Sequence, residues 1–501
     1  MTKQVYNPFL PLNEYVPDGE PHVFGDRVYL FGSHDKEGGD TYCMLDYVVF
    51  SADITNLADW RCEGTIYSAR QDPEYSEKYK YMYAPDVVQG NDGRYYLYYC
   101  MSGGCFTSPI HVAVCDTPAG KYEYYGCVRN SDGTPYSRCI TFDPGLINDT
   151  GIIRLYYGFS LSTDKEILNV EQDEEGARMM QEQLLQAQMS LFAKTKEEIL
   201  AEPQGIMGAF VVTLDDDMLT VISEPKRIVP GQLDASGTSF EGHAFFEASS
   251  IRKIDKTYYF IYSSQVSHEL CYATSKFPDR DFVYGGTIIS NGDIGYQGRQ
   301  AKDRINATGN NHGSIECING QYYIFYHRPT HKNNFSRQAC AERVTITKEG
   351  LIPQVEVTTS GLNSGPLKAQ GKYPSVIACQ LTNGNMPHLG HEPCKEQIPF
   401  ITHEVEQQFV TDIYDGVKVG YKYFQFNEVS EISVEVRGNA EGIIEVSTDL
   451  DNKIIATINI LPTTTWHSFT GKMEDFNGIS ELYFTYRGNG FIDFKSFTLT
   501  K

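Results

Sequence analysis

Five residues able to donate, accept or hold a proton or a cation recur at one matched place in the sequence: Asp18, Asp86, Asp143, Glu247 and His312. Each stands 10 to 13 residues ahead of a tyrosine (Tyr29, Tyr96, Tyr156, Tyr259 and Tyr323) and opens a short run that turns into an aromatic one. Their settings are PDGEPHVFG, APDVVQG, DPGLIND, EASSIRK and NHGSIEC. A single Asp beside Pro or Gly is ordinarily a turn former. The same slot filled five times is a different matter. If the slots meet in space, four carboxylates and an imidazole share a partly desolvated site, where like charges raise one another's pKa. Proteins keep such crowding for acid–base chemistry or for a metal.

The chemistry that asks for this set is hydrolysis in which a carboxylic acid and a carboxylate work on opposite sides of a glycosidic bond. The acid must keep its proton near neutral pH, which apolar and aromatic surroundings provide. Glu247 closes FEGHAFFE, the most aromatic of the five settings, and reads as the general acid. Asp18, beside the polar Gly19-Glu20, reads as the general base. Asp86 would hold up the pKa of Glu247 by repulsion, and Asp143 would contact substrate. Arg337, in FSRQAC, would reach a sugar hydroxyl or orient a carboxylate. Two rivals stay open: Glu20 for the base and Glu241 for the acid. The spacing of 12 residues from Glu247 to its tyrosine fits the repeat better than the 18 from Glu241.

Positioning these residues is the task of an internal repeat. The aromatic strands are DRVYLFGS, GRYYLYYC, IIRLYYGF, KTYYFIYS and GQYYIFYH, and their tyrosines lie 67, 60, 103 and 64 residues apart. The long interval contains DEEGARMMQEQLLQAQMSLFAKTKEEIL, whose composition predicts a helical insert over about 163–200. Without it the period is about 60 residues throughout. Five such units, each of several short strands, predict an all-β five-bladed β-propeller over 1–360, with the inner strand of every blade beside a central channel. The insert would lie at a propeller face and narrow access, favouring small substrates. After the Gly/Ser/Pro-rich TTSGLNSGPLKAQGKYP the pattern changes to alternating strands such as EISVEVRG, KIIATINI and FIDFKSFTL, which predict a jelly-roll β-sandwich over 361–501.

On these residues the chain resembles glycoside hydrolase family 43, the inverting β-xylosidases, α-L-arabinofuranosidases and arabinanases. Asp18, Gly25 and Tyr29 keep the spacing of the family's first-blade motif; YAPDVV at Asp86, FFEASSIRK at Glu247 and GNNHGSIE at His312 resemble its later segments. The ungapped spacing favours Asp18 over Glu20, although Asp18-Gly19 replaces the family's usual Asp-Pro. The resemblance implies an acid at Glu247, a base at Asp18, a pKa modulator at Asp86, and a calcium ion near His312 held partly through water. The alternative for His312 is an axial histidine satisfied without metal. No cofactor is required for the chemistry. The C-terminal region resembles a family 6 carbohydrate-binding module, in which Trp466 and Tyr421 would stack on sugars or serve as core, and Asp493 would hold a structural calcium.

The expected function is exo-acting, inverting release of terminal arabinofuranose or xylose from plant-derived oligosaccharides. A sugar-binding propeller without catalysis and a retaining five-bladed glycosidase are the alternatives. A net charge of −23 without basic clusters sets aside nucleic acid and anionic membranes as partners. No stretch reaches the roughly 20 apolar residues of a membrane span. Twelve scattered Cys and an N-terminus without an apolar signal core lead to the expectation of reduced thiols and a cytoplasmic location.

Overall fold

The computed structural model describes residues 3–103, 106, 108–161, 174–405, 407–448 and 453–501. Five small antiparallel sheets come first. Their inner strands are Glu20–Phe24, Asp86–Gln89, Gly145–Asp149, Phe245–Ile254 and Ile315–Ile318. Each of the first four sheets adds three more strands in simple meander order, and the fifth adds two.

Tight hairpins set this order. Asn319-Gly320 joins Ile318 to Gln321 with φ of 50° and 80°, the two positive values that a two-residue turn matched to strand twist needs. Thr150-Gly151 does the same between Asp149 and Ile152.

The aromatic strands are apolar on both faces because each lies between two neighbouring sheets. Leu155 and Tyr157 join a core shared with the second sheet, whereas Tyr156 between them joins one shared with the fourth. This is the period-2 alternation of a strand, here buried on both sides. Phe31 packs toward the second sheet and Leu30 toward the fifth, where Phe325 and Ala341 meet it. Ile261 and Ile324 link the fourth sheet to the fifth. The five sheets therefore close on themselves in a cycle. At the inner ring Gly19 bridges Gly313 in parallel, tying the first sheet to the last. A Cβ at Gly145 would lie 2.4 Å from the Ser249 carbonyl oxygen, so that close approach of two inner strands requires glycine.

The insert is helical over Glu174–Phe192 and Lys196–Ala201, the second helix opening with a Thr195/Glu198 capping box. Its expected beginning, 163–173, lies outside the described residues. Phe192 is buried against Phe106 and Phe159, with ring centroids 5.8 and 6.2 Å away. The insert thus buttresses the aromatic side of the ring.

Beyond residue 366 two six-stranded sheets face a single core, to which Val419, Phe424 and Phe484 contribute from one sheet and Ile432, Phe494 and Phe497 from the other. Tyr421 is inside that core and its hydroxyl donates to the Ser375 carbonyl, so it cannot stack on a sugar. Trp466 lies under the Arg437 guanidinium, 4.5 Å from its ring centre, with Lys495 at 5.4 Å. Asp493 is taken up by Arg437 and Thr411 rather than facing an open oxygen cage. Every cysteine among the described residues is free. No helix among them is long and apolar enough to cross a membrane.

Candidate active site

Where the inner strands begin, a pocket of about 580 Å³ is lined by Asp18, Asp143, Glu247, His312 and Arg337. One wall is aromatic: Tyr83, Phe106, Phe142, Phe159 and Phe246. Local backbone irregularity aims the acids inward. Asp18 and Asp143 sit two residues ahead of their strands in the left-handed region, at φ of 57° and 46°. Aspartate tolerates this better than most residues. Around Glu247 the pairing of strands Phe245–Ile254 and Thr257–Ser264 shifts register twice, and Ala248 takes φ of 70°. Such bulges re-aim side chains at functional sites.

The three carboxyls have opposed electrostatics. Burial, the largest influence, would raise the pKa of Asp18, but the Arg337 guanidinium, donating to its Oδ1 at 3.0 Å, together with His327, His312 and the Ser33 hydroxyl holds it below the ordinary carboxylate value. Its backbone N–H donates to Nδ1 of His327 at 3.2 Å, while His327 Nε2 meets the Asn310 carbonyl at 2.9 Å. That pairing fixes the neutral imidazole with its proton on Nε2, and burial pushes its pKa down to about 3. Glu247 is pushed up to about 8, first by burial and then by the Asp18 charge. Asp143 is driven well above its usual value by burial, then by Glu247 and Asp18. It accepts the Ala248 N–H at 3.0 Å, which favours the charged form, whereas Glu247 receives no hydrogen bond among the described residues.

Four of the five matched slots therefore meet, and the fifth does not. Asp86, expected beside Glu247, is instead fully buried away from the pocket, held by His22 at 2.6 Å and by the N–H groups of Val87 and Leu146. The cause is a two-residue offset. Asp86 is the first residue of its inner strand, whereas Asp18 and Asp143 precede theirs by two. Two residues keep a side chain on the same face but move it about 7 Å along the strand. The second sheet presents Ala84 to the pocket at the position of Asp18. Asp86 shares the deeper layer with Glu20, whose carboxyl is pushed up to about 8 by burial and by Asp86, and is bonded to Ser250 and Arg252. Glu20 is thus removed as a rival to Asp18. Glu241 is exposed and accepts the Gly237 N–H, outside the pocket. Arg337, expected to contact either a sugar or a carboxylate, has taken the second part. Its Nε and Nη2 grip both oxygens of the buried Asp35 at 2.8 and 2.9 Å, and its Nη1 holds Asp18.

His312 points Nδ1 at Asp143 and Asp18, at 3.7 and 3.9 Å, and burial keeps it neutral with a pKa near 4. A calcium ion needs six to eight oxygens. Here the Asp18 oxygen is already taken by Arg337, and among the described residues His312 belongs to no trio of ligand atoms within 4.8 Å of one another. The protein atoms alone do not complete a calcium shell; an ion near His312 would be held largely through water, and no step is routed through it.

Sequence spacing gave no access to three contributions. Asp35 and His327 carry no repeat signal. His388, Leu389 and His391 come from a loop beyond the ring, tied back by hydrogen bonds from Leu389 N–H to the Thr308 carbonyl and from Asn334 to the Leu389 carbonyl.

The profile of the family "Glycosyl hydrolases family 43" matches residues 6–202. A "Xylosidase/arabinosidase" from Thermoclostridium stercorarium is 41% identical over 100% of this chain and 99% of its own length. Another from Bacteroides ovatus is 27% identical over 64% of this chain and 87% of its own length. The crystal structure of the GH43_1 enzyme from Xanthomonas citri complexed with xylose has a TM-score of 0.51 at 23% identity, covering 72% of this chain and 95% of that one, a likeness of fold. The relative from Thermoclostridium stercorarium thus matches the sequence of both the ring and the region beyond it, and this chain belongs to glycosyl hydrolase family 43 and is a glycoside hydrolase.

Proposed function

We propose that this enzyme is an exo-acting, inverting glycosidase that releases terminal arabinofuranose or xylose from oligosaccharides of plant polysaccharides. The observation that carries the reading is the opposed electrostatics of Asp18 and Glu247 across one pocket: a carboxylate kept ionised by Arg337 and a carboxyl kept protonated near neutral pH. The relatives named for xylosidase and arabinosidase activity support the pentose assignment. The pocket volume suits one or two sugar rings, and its aromatic wall suits their apolar faces.

In this reading Glu247 protonates the departing glycosidic oxygen while Asp18 takes a proton from a water attacking the anomeric carbon on the opposite face. The product leaves with inverted configuration. Burial and the Asp18 charge keep Glu247 protonated; Asp143, not Asp86, is the further carboxyl that bears on it, and His312 faces Asp143 and Asp18 through Nδ1. The five sheets are read as the blades of a propeller over 1–360, and the two sheets of 361–501 as a jelly-roll sandwich of carbohydrate-binding-module type. The latter's role is packing and loop donation, given the covered Trp466 and buried Tyr421.

The test is hydrolysis of 4-nitrophenyl α-L-arabinofuranoside and β-D-xylopyranoside, with the first-formed anomer read by NMR. Cleavage of at least one with inversion is expected. Failure on both would leave a sugar-binding propeller, and retention would make the enzyme of the two-step kind. A second measurement separates the two aspartates. Asp143→Asn should move the alkaline limb of the kcat/KM profile down by about one pH unit, because removing a like charge eases ionisation of Glu247. Asp86→Asn should leave that limb in place.

A further inference from the structure

Away from the pocket, three chain segments bring Glu37, His331 and His403 together with one ligand atom of each within 4.8 Å of the others. Glu37 lies on the loop between strands Arg27–Phe31 and Tyr47–Asp53 of the first sheet. His331 follows strand Gln321–Pro329 of the fifth, and His403 is on strand Phe400–Glu404 of the region beyond the ring. The surroundings are built. Glu37 Oε1 accepts from the Tyr15 hydroxyl at 2.7 Å and from Gln408 Nε2 at 2.8 Å, and lies 3.2 Å from His403 Nδ1. Thr330 Oγ1 lies 2.9 Å from His331 Nδ1 and fixes that ring.

Two polar atoms of this group have no partner. His331 Nε2 and Gln408 Oε1 are both buried and unbonded. A buried polar atom left unpaired costs about 1–3 kcal/mol, so each of the two asks for a partner. Both are acceptor-capable, and the nearby Glu37 carboxylate has no Lys or Arg bonded to it among the described residues. A cation supplies what all of them lack. Thr330 Oγ1 gives its proton to the Ser336 carbonyl, so His331 Nδ1 carries the ring proton toward it and Nε2 keeps its lone pair free to ligate.

We propose that Glu37, His331 and His403 bind a divalent transition-metal ion of the zinc class, with the Gln408 amide oxygen or a water in the fourth place. Two imidazoles and a carboxylate form a borderline-soft set that suits zinc over the oxygen-seeking calcium and magnesium. Thr330 and Tyr15 supply the outer contacts that orient a ligating histidine and carboxylate. The ion would clamp the ring to the region beyond it. It would also anchor the loop carrying Asp35, the residue that grips Arg337 behind Asp18.

The experiment uses untagged full-length protein stripped with EDTA, desalted, then incubated with zinc and desalted again. One zinc per chain should be retained, and zinc should raise the Tm by roughly 3 °C or more, because an ion bound only to the folded state stabilises it by mass action. His403→Gln, at an exposed position, and Glu37→Gln should lose both the retained ion and the Tm response. His243→Gln, in the separate His243–Glu269–Cys271 cluster, should keep both. No retained zinc in the parent protein, unchanged retention in His403→Gln, or loss in His243→Gln would each overturn the assignment.

Discussion

Replacing Glu247 by glutamine is expected to lower kcat/KM about 1,000-fold or more on an unactivated xylo- or arabino-oligosaccharide, and less than about 100-fold on an aryl glycoside with a good leaving group. The asymmetry follows from the role. A sugar alkoxide is a poor leaving group and must be protonated as it departs, whereas a nitrophenolate departs with little help. The isosteric amide keeps the shape of the pocket while removing the proton. The pH profile supplies a second readout. Glu247 works protonated, so kcat/KM should be full below about 8 and fall as pH rises through that value. In Glu247→Gln the alkaline limb should vanish on the activated substrate. Glu241→Gln should stay within about tenfold of the parent enzyme, since Glu241 is exposed and outside the pocket. The reverse outcome, a collapse in Glu241→Gln with Glu247→Gln active, would move the acid to Glu241.

The repeat made the place of Glu247 in the pocket legible in the sequence, and also marks where sequence reasoning stops. Strand type and order follow from alternation and from tyrosines spaced about 60 residues apart, because a strand wedged between two sheets must be apolar on both faces. The sequence pattern located Asp18, Asp143, Glu247 and His312 for the same reason: each stands within three residues of the start of an inner strand, and inner strands converge. What the pattern lacked was register. Slots defined to within three residues cannot separate Asp86 from the position occupied by Ala84, yet that difference of two is about 7 Å along a strand. It places Asp143, and not Asp86, in the pocket with Glu247.

Other contributions were invisible for a different cause. The 388–391 loop lines the pocket, while Asp35 and His327 back it through Arg337 and Asp18, all by tertiary contacts that leave no periodic trace. The grip of Arg337 on Asp35 became visible only when strand Arg337–Val344 was placed beside the first sheet. The helical insert was legible from composition, but its contact with the pocket wall through Phe192 was not.

Asp18→Asn is expected to lower kcat/KM by about 1,000-fold or more on every substrate, activated or not. A base that takes the proton of the attacking water is needed whatever the leaving group, so the selectivity between aryl glycoside and oligosaccharide seen in Glu247→Gln should be absent here. The acidic limb should disappear with it. Asp18 works ionised and its pKa lies below the ordinary carboxylate value, so the parent enzyme should lose activity only as pH falls below about 4. The substitution also removes one anion from Arg337, and breaking a buried pair can cost several kcal/mol. The cost should be smaller here, because Asp35 still holds the guanidinium through both oxygens and asparagine Oδ1 can still accept from Nη1. A melting curve therefore separates the two effects. A folded Asp18→Asn protein with a Tm a few degrees lower and catalysis abolished fits loss of the base. Glu20→Gln supplies the complementary case, since it disturbs the buried contacts with Ser250 and Arg252 and should lower Tm while leaving activity within about tenfold. If Glu20→Gln abolishes turnover while Asp18→Asn remains active, the attacking water is served from the deeper layer, and the division of labour between Asp18 and Glu247 fails.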